Sequence, residues 1–247
     1  MELCEFFNMY PRAALAFSGG VDSSYLLYAA VKCGADVRPY FVNSVLQPEF
    51  ELRDARRLAE ELGTELTVIE FDALSVPEIA RNPENRCYFC KTALLSRLAH
   101  AASADGYGVI LDGTNASDDA ADRPGMRALE EAGVLSPLRL CGLTKAEVRR
   151  RSREAGLFTW GKPAYACLAT RIPAHQPLDA ETLRRVGLAE AEMREMGFSD
   201  LRVRVFGGAA RLQLPEDQLE RAVKMHTQIA AALGKYFSAA LLDLEGR

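Results

Sequence analysis

Residues 18–24, which read Ser-Gly-Gly-Val-Asp-Ser-Ser, constrain the fold more than any other stretch of the chain. They follow an apolar run at 13–17 that predicts a short buried strand, and they precede residues 25–33, whose apolar side chains suit a packed helix. Glycines let a backbone approach an anion closely, and the first N–H groups of a helix point towards it. A strand, a glycine pair with small hydroxyl residues and a helix therefore predict a phosphate-binding loop; a plain Gly-Gly turn is the alternative.

The loop differs from a Walker A motif, because no lysine follows its glycines. Its pattern S-G-G-x-D-S resembles the PP-loop of ATP pyrophosphatases, enzymes that split ATP into AMP and pyrophosphate. The resemblance implies that residues 18–24, called the PP-loop below, bind ATP and that Asp22 holds Mg²⁺ against the phosphates. The residues predicted to bind ATP, in the PP-loop and after later strands, are Ser18, Gly19, Gly20, Val21, Asp22, Ser23, Ser24, Asn43, Gly113 and Thr114.

Strand and helix patterns alternate through the first two thirds of the chain. Strands are predicted at 39–42, 66–71 and 108–111, and helices at 54–62, 91–102 and 144–155. The last of these helices opens with a predicted capping box of Thr144 and Glu147. The alternation predicts an α/β fold, a parallel twisted sheet with helices on both faces. Ligands bind at the carboxyl ends of such strands, so the PP-loop, Asn43 and residues 112–115 should meet in one crevice.

A second domain is predicted after a Pro-containing polar linker at 170–179, which gives a PP-loop domain at 1–172 and a small α+β domain at 178–247. The latter should contain a helix ending at Gly197, a hairpin of 201–206 and 210–214, a helix at 218–234 and a final strand at 239–244. Period-two geometry places Arg202, Arg204 and Arg211 on one face of the hairpin. This arginine face is either a solvated surface or a clamp for phosphate or carboxylate.

Composition narrows the classes of partner. The net charge of −4 does not favour binding to nucleic acid, which usually requires a basic surface. No apolar run approaches the ~20 residues that span a bilayer. The first residues lack the basic and apolar regions of a signal peptide. A cytoplasmic protein is expected, in which thiols stay reduced and Cys4, Cys33 and Cys141 are buried as small hydrophobes.

The remaining cysteines form a C-x-x-C pair, Cys87 and Cys90, and a separate Cys167. A redox dithiol needs a thioredoxin-like context, whereas Cys87 is expected in a loop after Pro83. A structural zinc site needs four ligands, and a second C-x-x-C is missing. Three thiolates suit a [4Fe–4S] cluster that leaves one iron open. From spacing alone, a cluster and three unrelated cysteines both stay open.

Eight motifs in a fixed order carry a more specific resemblance. They lie at 18–24, 85–91, 112–115, 123–127, 136–138, 160–163, 167–171 and 242–246. This succession resembles the LarE family, ATP-dependent sulfur transferases that build the nickel-pincer nucleotide cofactor of lactate racemase. It covers nearly the whole chain and implies a PP-loop domain, a small α/β domain and a homo-oligomer, often a hexamer. Gln213 departs from the glutamate that the resemblance leads us to expect.

The resemblance implies a substrate and two chemical variants. The substrate is pyridinium-3,5-biscarboxylic acid mononucleotide, whose carboxylates are adenylated and then attacked by sulfur to displace AMP. In one variant a single cysteine, at the position of Cys167, gives up its own sulfur and becomes dehydroalanine. In the other, that cysteine and a C-x-x-C pair hold a [4Fe–4S] cluster. The presence of Cys87, Cys90 and Cys167 together implies the cluster variant, with these three as the metal ligands.

The resemblance also implies roles for charged residues. Cys167, Asp22, Lys91 and Arg171 are predicted to be catalytic, and Arg202, Arg204 and Arg211 to bind the substrate's phosphate. Arg123 and Lys162 are further cations within its motifs. The expected partners are the nucleotide substrate and a sulfide donor, with no nucleic acid and no membrane. A tRNA thiolase, an ammonia-dependent synthetase and a non-catalytic module that binds ATP or zinc are the alternatives.

Overall fold

The computed structural model of the chain describes residues 1–118 and 124–246, so Arg123 lies outside the described residues. No helix among those residues is both long and apolar enough to cross a membrane. The elements, in chain order, are α1 (Leu3–Met9), β1 (Arg12–Ala16), α2 (Val21–Lys32), β2 (Asp36–Asn43), α3 (Glu49–Glu61), β3 (Thr67–Glu70), α4 (Pro77–Ala80), α5 (Arg86–Ala104), β4 (Ile110–Leu111), α6 (Pro124–Glu131), α7 (Pro137–Leu140), α8 (Lys145–Glu154), α9 (Ala180–Glu195), β5 (Arg202–Phe206), β6 (Ala209–Gln213), α10 (Glu216–Lys224), α11 (His226–Leu233) and β7 (Ala240–Leu242).

The chain divides into two compact units. The first contains residues 1–44, 49–71 and 85–162, and the second contains residues 45–48, 72–84 and 163–247. The second unit begins at residue 163 in this part of the chain, which is nine residues before the end of the predicted PP-loop domain at residue 172. Residues 163–172 group with the second unit because a 3-10 turn, Leu168–Arg171, packs against α9 and β5.

The first unit is built on a parallel sheet whose described strands have the order β3-β2-β1-β4. Alternate residues of β1 face opposite sides: Ala13 and Leu15 pack in one core with α1 and α2, and Ala14 packs in another with Leu98 and Ala102 of α5. Helices therefore cover both faces, and the predicted α/β fold is confirmed. The PP-loop follows the inner strand β1, at the carboxyl end of the sheet, where ligands bind in open α/β sheets.

The N-terminal helix α1 was not predicted, and it changes the assignment of two cysteines. Phe6 and Phe7 on α1 are buried in the core that also contains α2. This packing brings Cys4 to Cys33 at the end of α2, where the two form a disulfide with Cα atoms 5.2 Å apart. The expectation of two buried, reduced thiols is therefore wrong for this pair. Cys141 is partly buried against the same core, and burial raises the pKa of its thiol.

The second unit contains the predicted hairpin, β5 and β6, with β7 added in parallel to β6. Its inner face is apolar, since Val203 and Leu212 oppose each other and are fully buried. The predicted helix at 218–234 is two helices, α10 and α11, which are separated at Met225. The hairpin face opposite to Val203 and Leu212 is therefore the one available for polar side chains.

Candidate active site

The PP-loop connects β1 to α2 through two glycines with different backbone requirements. Gly19 has φ +66°, a conformation that disfavours other residues, and a Cβ there would lie 3.3 Å from the carbonyl oxygen of Glu51 on α3. Gly20 is extended and serves as the N-cap of α2. The loop therefore lies tightly on α3 before it turns into the helix.

Hydroxyl groups tie the PP-loop together. The Oγ atoms of Ser18 and Ser23 are 3.1 Å apart, the Gly20 N–H donates to Ser18 Oγ at 3.3 Å, and the Ser23 hydroxyl donates to the Gly20 carbonyl at 3.3 Å. The Ser24 hydroxyl is buried and has no hydrogen-bond partner among the described residues. Val21 is buried in the core, so it reaches a ligand only through its backbone. The loop is thus held in one shape by its own side chains.

The loop after β4 lies against the start of α2, as predicted. A Cβ at Gly113 would lie 2.8 Å from the Ser23 nitrogen, so only glycine fits this approach. The buried Asp112 carboxylate holds the loop, because it accepts bonds from the Thr114 N–H at 3.2 Å, the Thr114 hydroxyl at 2.5 Å and the Ser136 hydroxyl at 2.6 Å. The structure therefore brings Gly113 and Thr114 beside the PP-loop.

Asp22 contacts Asn115, a residue of the predicted crevice, and Lys145, which was not predicted. Asn115 Nδ2 donates to Asp22 Oδ1 at 3.4 Å, and the Lys145 ammonium pairs with Asp22 Oδ2. Lys145 is the first residue of α8, whose N-cap Thr144 accepts the Glu147 N–H at 3.3 Å. The predicted capping box is only half formed, since the Glu147 carboxylate pairs with arginines of α8. A lysine at the first position of a capped helix was the available signal for Lys145.

Lys162 supports the PP-loop from its other side. Its ammonium donates to the Gly19 carbonyl at 3.0 Å and pairs with Asp54 of α3 at 2.7 Å. Asn43, predicted to bind ATP, donates to both Glu70 carboxylate oxygens at 2.9 and 3.1 Å. Lys91 lies on α5, where its side chain packs against Gly125 of α6. The roles of Asn43 and Lys91 stay predictions.

Cys87, which was predicted to lie in a loop, is the second residue of α5, and Cys90 follows it on the same helix. The helix begins at Arg86, so the two cysteines are one turn apart and share a face. Cys87 is exposed, Cys90 is half-buried, and Arg86 Nη2 lies 3.9 Å from Cys87 Sγ. Two sulfur atoms at this spacing are accessible to a common ligand.

Cys167 begins a tightly held turn in the second unit. It is the N-cap of the 3-10 turn Leu168–Arg171, and its carbonyl accepts the Thr170 hydroxyl at 2.9 Å. Arg171, predicted to be catalytic, is 1% exposed and donates from Nη1 to the Ala166 carbonyl at 2.9 Å. Arg171 therefore holds the backbone immediately before Cys167.

A buried glutamate organises the surroundings of Arg171. Glu190 on α9 is 0% exposed and accepts bonds from Arg171 Nε at 2.7 Å, Arg194 Nη2 at 3.0 Å and the Val203 N–H at 3.0 Å. The Tyr165 hydroxyl also donates to it. Burial and the nearby negative charge of Glu190 raise the pKa of Tyr165. One buried carboxylate thus pairs with two guanidinium groups, that of Arg171 in the interior and that of Arg194, which is 29% exposed.

The arginine face forms as predicted from the hairpin register. Arg204 is directly opposite Arg211, and Arg202 is opposite Gln213. Because these pairs flank the buried Val203–Leu212 pair, their side chains project from the other face of the hairpin. The cationic face that the sequence predicted is therefore present, and its role as a substrate clamp stays a prediction.

Arg204 links this face to the turn that begins at Cys167. Arg204 Nη1 donates to the Thr170 carbonyl at 2.8 Å, and its Nε donates to Gln213 Oε1 at 2.5 Å. Gln213 Nε2 donates to Asp243 at 2.7 Å, and Arg211 Nε lies 3.5 Å from the same carboxylate. The bond from Gln213 holds the pKa of Asp243 below its ordinary value. Asp243 thus places one negative charge beside the arginines.

The cysteines predicted to bind a cluster are divided between the units. Cys87 and Cys90 belong to the first unit, and Cys167 belongs to the second. Within either unit, the described residues contain no group of three or more His, Cys, Asp or Glu side chains that could hold a metal ion.

Known proteins match both the segment that contains the PP-loop and nearly the whole chain. The family model of asparagine synthase matches residues 11–120, which include the PP-loop and the loop after β4. An uncharacterized protein of Synechocystis is 37% identical over 99% of this chain and 92% of its own length. The pyridinium-3,5-bisthiocarboxylic acid mononucleotide synthase of Lactiplantibacillus plantarum is 34% identical over 95% of this chain and 86% of its own length. The GMP synthase of Aeropyrum pernix is 28% identical over 74% of this chain, which spans 39% of that protein.

The match to the Lactiplantibacillus synthase extends over both units, whereas the asparagine synthase model covers only part of the first. The shared part contains the ATP-binding loop, and the longer match adds the segment with Cys167, Arg171 and the arginine face. The chain belongs to the LarE family, whose members are ATP-dependent, adenylating sulfur transferases.

Proposed function

We propose that this chain converts pyridinium-3,5-biscarboxylic acid mononucleotide into its bisthiocarboxylate, the product after which the Lactiplantibacillus relative is named. A substrate carboxylate oxygen attacks the α-phosphorus of ATP, and pyrophosphate leaves. Hydrosulfide then attacks the carbonyl carbon of the acyl adenylate, and AMP leaves with the former carboxylate oxygen. The sum of one cycle is carboxylate, ATP and hydrosulfide to thiocarboxylate, AMP, pyrophosphate and a proton. Two cycles complete the product.

One observation supports the sulfur-transfer step of this proposal. Arg204 donates to the Thr170 carbonyl within the turn that begins at Cys167, so a cationic face and a thiol belong to one hydrogen-bonded unit. A nucleotide phosphate on Arg202, Arg204 and Arg211 would anchor the substrate beside that turn through charge-assisted bonds. Arg171 serves as a positioning residue, since its guanidinium is buried against Glu190 and holds the Ala166 carbonyl.

The PP-loop supports the adenylating half. Mg²⁺ favours one or two carboxylates together with substrate phosphates and water, and Asp22 supplies one carboxylate at the start of α2. The donor set therefore fits Mg²⁺ bound jointly with ATP. The N–H groups of the first turn of α2 and the Ser18 and Ser23 hydroxyls belong to the same loop and helix start. Their fixed dipoles stabilise charge that develops on the leaving pyrophosphate.

The cysteines support the cluster variant of the family. Cys87 and Cys90 share one face of a helical turn, a spacing at which both thiolates reach one ligand, and Cys167 supplies a third thiolate. A [4Fe–4S] cluster held by three thiolates supplies an iron position that is open to an exogenous sulfide. The Arg86 guanidinium lies 3.9 Å from Cys87 Sγ, and Arg171 belongs to the turn that begins at Cys167, so a cation is placed near a cysteine in each unit.

The proposal extends to partners. A small-molecule sulfide donor renews the sulfur, and the chain works as a homo-oligomer in the cytoplasm. The acidic net charge of −4 supports a nucleotide substrate over tRNA, since a tRNA thiolase needs a basic surface.

The direct test is to incubate the protein anaerobically with ATP, sulfide and the biscarboxylate nucleotide and to weigh the products. We expect a nucleotide in which two oxygens are replaced by sulfur, with AMP and pyrophosphate in equal amounts. Replacement by nitrogen when ammonia is supplied would indicate a synthetase instead. Thiolated tRNA would indicate a tRNA thiolase, and ATP binding with one zinc and no turnover would indicate a non-catalytic module.

The source of the sulfur has its own test. With a cluster, Cys87→Ala, Cys90→Ala and Cys167→Ala should each lose iron and activity, and Cys141→Ala is the matched control. With a sacrificial Cys167, Cys87→Ala should keep a single turnover, and the spent protein should be about 34 Da lighter, the mass of the lost H₂S. Multiple turnovers with an intact Cys167 peptide support the cluster. A dehydroalanine peptide would overturn it.

A further inference from the structure

We infer that Lys145 binds the pyrophosphate end of ATP, in place of the lysine that a Walker A loop carries. This inference rests on the proposed ATP-binding role of the PP-loop and adds a residue to it. Lys145 comes from α8, more than a hundred residues along the chain from Asp22, and its ammonium pairs with the Asp22 carboxylate within the PP-loop.

The position of Lys145 in α8 is electrostatically unfavourable without an anion. Helix N-termini carry partial positive charge and disfavour cations in the first turn. Lys145 is nevertheless the first residue of α8, where its N–H donates to Ser117 Oγ at 3.0 Å. Its ammonium is directed to Asp22, which is in the first turn of α2. Two helix N-termini and an ammonium therefore surround a single carboxylate, a place suited to a ligand with several negative charges.

The ammonium of Lys145 is accessible and exchangeable. Its side chain is 34% exposed, and its partner Asp22 is the predicted Mg²⁺ ligand, with its second oxygen bonded to Asn115 at 3.4 Å. A divalent cation at Asp22 would repel the ammonium, and the phosphates would then be the nearest anions for it. Lys145 thus neutralises Asp22 without nucleotide and neutralises the pyrophosphate with it.

Lys162, the other lysine at the PP-loop, is placed for a different task. Its ammonium is bonded to the Gly19 carbonyl and paired with Asp54 of α3, so its charge is compensated within the scaffold. It fixes the loop's backbone from the α3 side. Lys145, in contrast, reaches the loop at the carboxylate predicted to meet the phosphates.

Binding of three ligands separates a phosphate contact from a structural role. The dissociation constants of Mg²⁺ complexes of ATP and pyrophosphate, and of AMP, are measured by calorimetry for wild type, Lys145→Met and Lys145→Arg. Lys145→Met should raise the dissociation constants of ATP and pyrophosphate by tenfold or more and that of AMP by less than about twofold. The reason is that the lost charge-assisted bond is made only to the terminal phosphates, which AMP does not have. Lys145→Arg should recover most of the affinity. Arg150→Ala, which removes an exposed charge from the same helix, is the matched control and should bind like wild type.

Each outcome decides the inference. Equal weakening of AMP and pyrophosphate in Lys145→Met, or no weakening, would overturn the role of Lys145 while the PP-loop proposal stands. Failure of wild type to bind ATP or pyrophosphate would instead refute the PP-loop proposal. Thermal melting checks folding before titration, and Lys145→Gln, which keeps a hydrogen-bond donor for Asp22, replaces Lys145→Met if that variant unfolds.

Discussion

Truncation of Glu190 to alanine should destabilise the second unit strongly, although Glu190 is not among the residues predicted to bind the substrate. Its carboxylate is fully buried and compensates Arg171 and Arg194, of which Arg171 is 1% exposed. Removing one partner of a buried ion pair leaves an uncompensated charge and typically costs about 3–5 kcal/mol. The Val203 N–H of β5 and the Tyr165 hydroxyl also lose their acceptor. We expect a loss within that range.

Hydrogen exchange measured by mass spectrometry reports the loss of stability separately for each segment of the chain. At 1.4 kcal/mol per tenfold, the expected cost corresponds to an increase of roughly 100- to 4000-fold in the exchange rate of α9 and β5 amides. Peptides from β1 and α2, in the first unit, provide the internal reference. The Cys167 turn should also lose protection, because Arg171 holds the Ala166 carbonyl.

Two further variants test the reasoning. Glu181→Ala on the same helix breaks an exposed pair with Arg184, with both side chains about 60% exposed, and should change exchange by less than about fivefold. Replacing Arg171 and Glu190 together with methionine should recover much of the stability, since no fully buried charge is left unpaired and Arg194, which is 29% exposed, keeps contact with water. Similar exchange in Glu190→Ala and Glu181→Ala would refute the argument from buried charge.

Three other predictions follow from the site. Asp22→Ala should remain folded and lose AMP and pyrophosphate formation, measured by ion-exchange chromatography of the nucleotides; unchanged rates would remove Asp22 from the site. Arg204→Ala should raise KM for the nucleotide substrate by roughly tenfold or more, with ATP binding retained, because a charge-assisted contact contributes ~1.5–3 kcal/mol; an unchanged KM would make the arginine face a plain surface. Asp243 has a pKa held below 3.8 chiefly by the bond from Gln213, so its contribution to stability is present above that pH and is lost as the pH falls through the folded pKa. Gln213→Ala should therefore raise the pKa of Asp243 in an NMR titration and lower stability near pH 7 more than at pH 3, and an unmoved titration would contradict the assigned bond.

Local patterns predicted much of the fold and the arginine face. The PP-loop has a glycine at a position with positive φ, and the hairpin alternates strictly, so both are determined by near neighbours in the sequence. The α1 helix was missed because its seven residues form a short pattern whose stability comes from packing Phe6 and Phe7 against α2. Short helices depend on tertiary contacts that the sequence does not display.

The charged interior of the second unit was predicted incompletely for a different reason. Arg171 was interpreted as a cation available for catalysis, whereas the structure buries it against Glu190. Glu190 lies on the stripe of Leu183, Val186 and Met193, the buried face of α9, so a glutamate at an apolar position was the available signal. Its partner could not be named, because Arg171 and Arg194 reach it from different elements. Pairing of distant charges depends on packing and not on spacing.

The disulfide between Cys4 and Cys33 makes a covalent ring around the nucleotide-binding segment. The ring closes over a sequence separation of 29, and it contains β1, the whole PP-loop and the whole of α2. In the chain-entropy account a ring of this size restricts the unfolded chain by roughly 3–4 kcal/mol. A reductant that opens the ring therefore loosens the segment that binds ATP while the cysteines predicted to handle sulfur are covalently unchanged. Bound ATP should offset that loss through linkage, so the thiol state of the cell and its ATP level act on the same segment between Cys4 and Cys33.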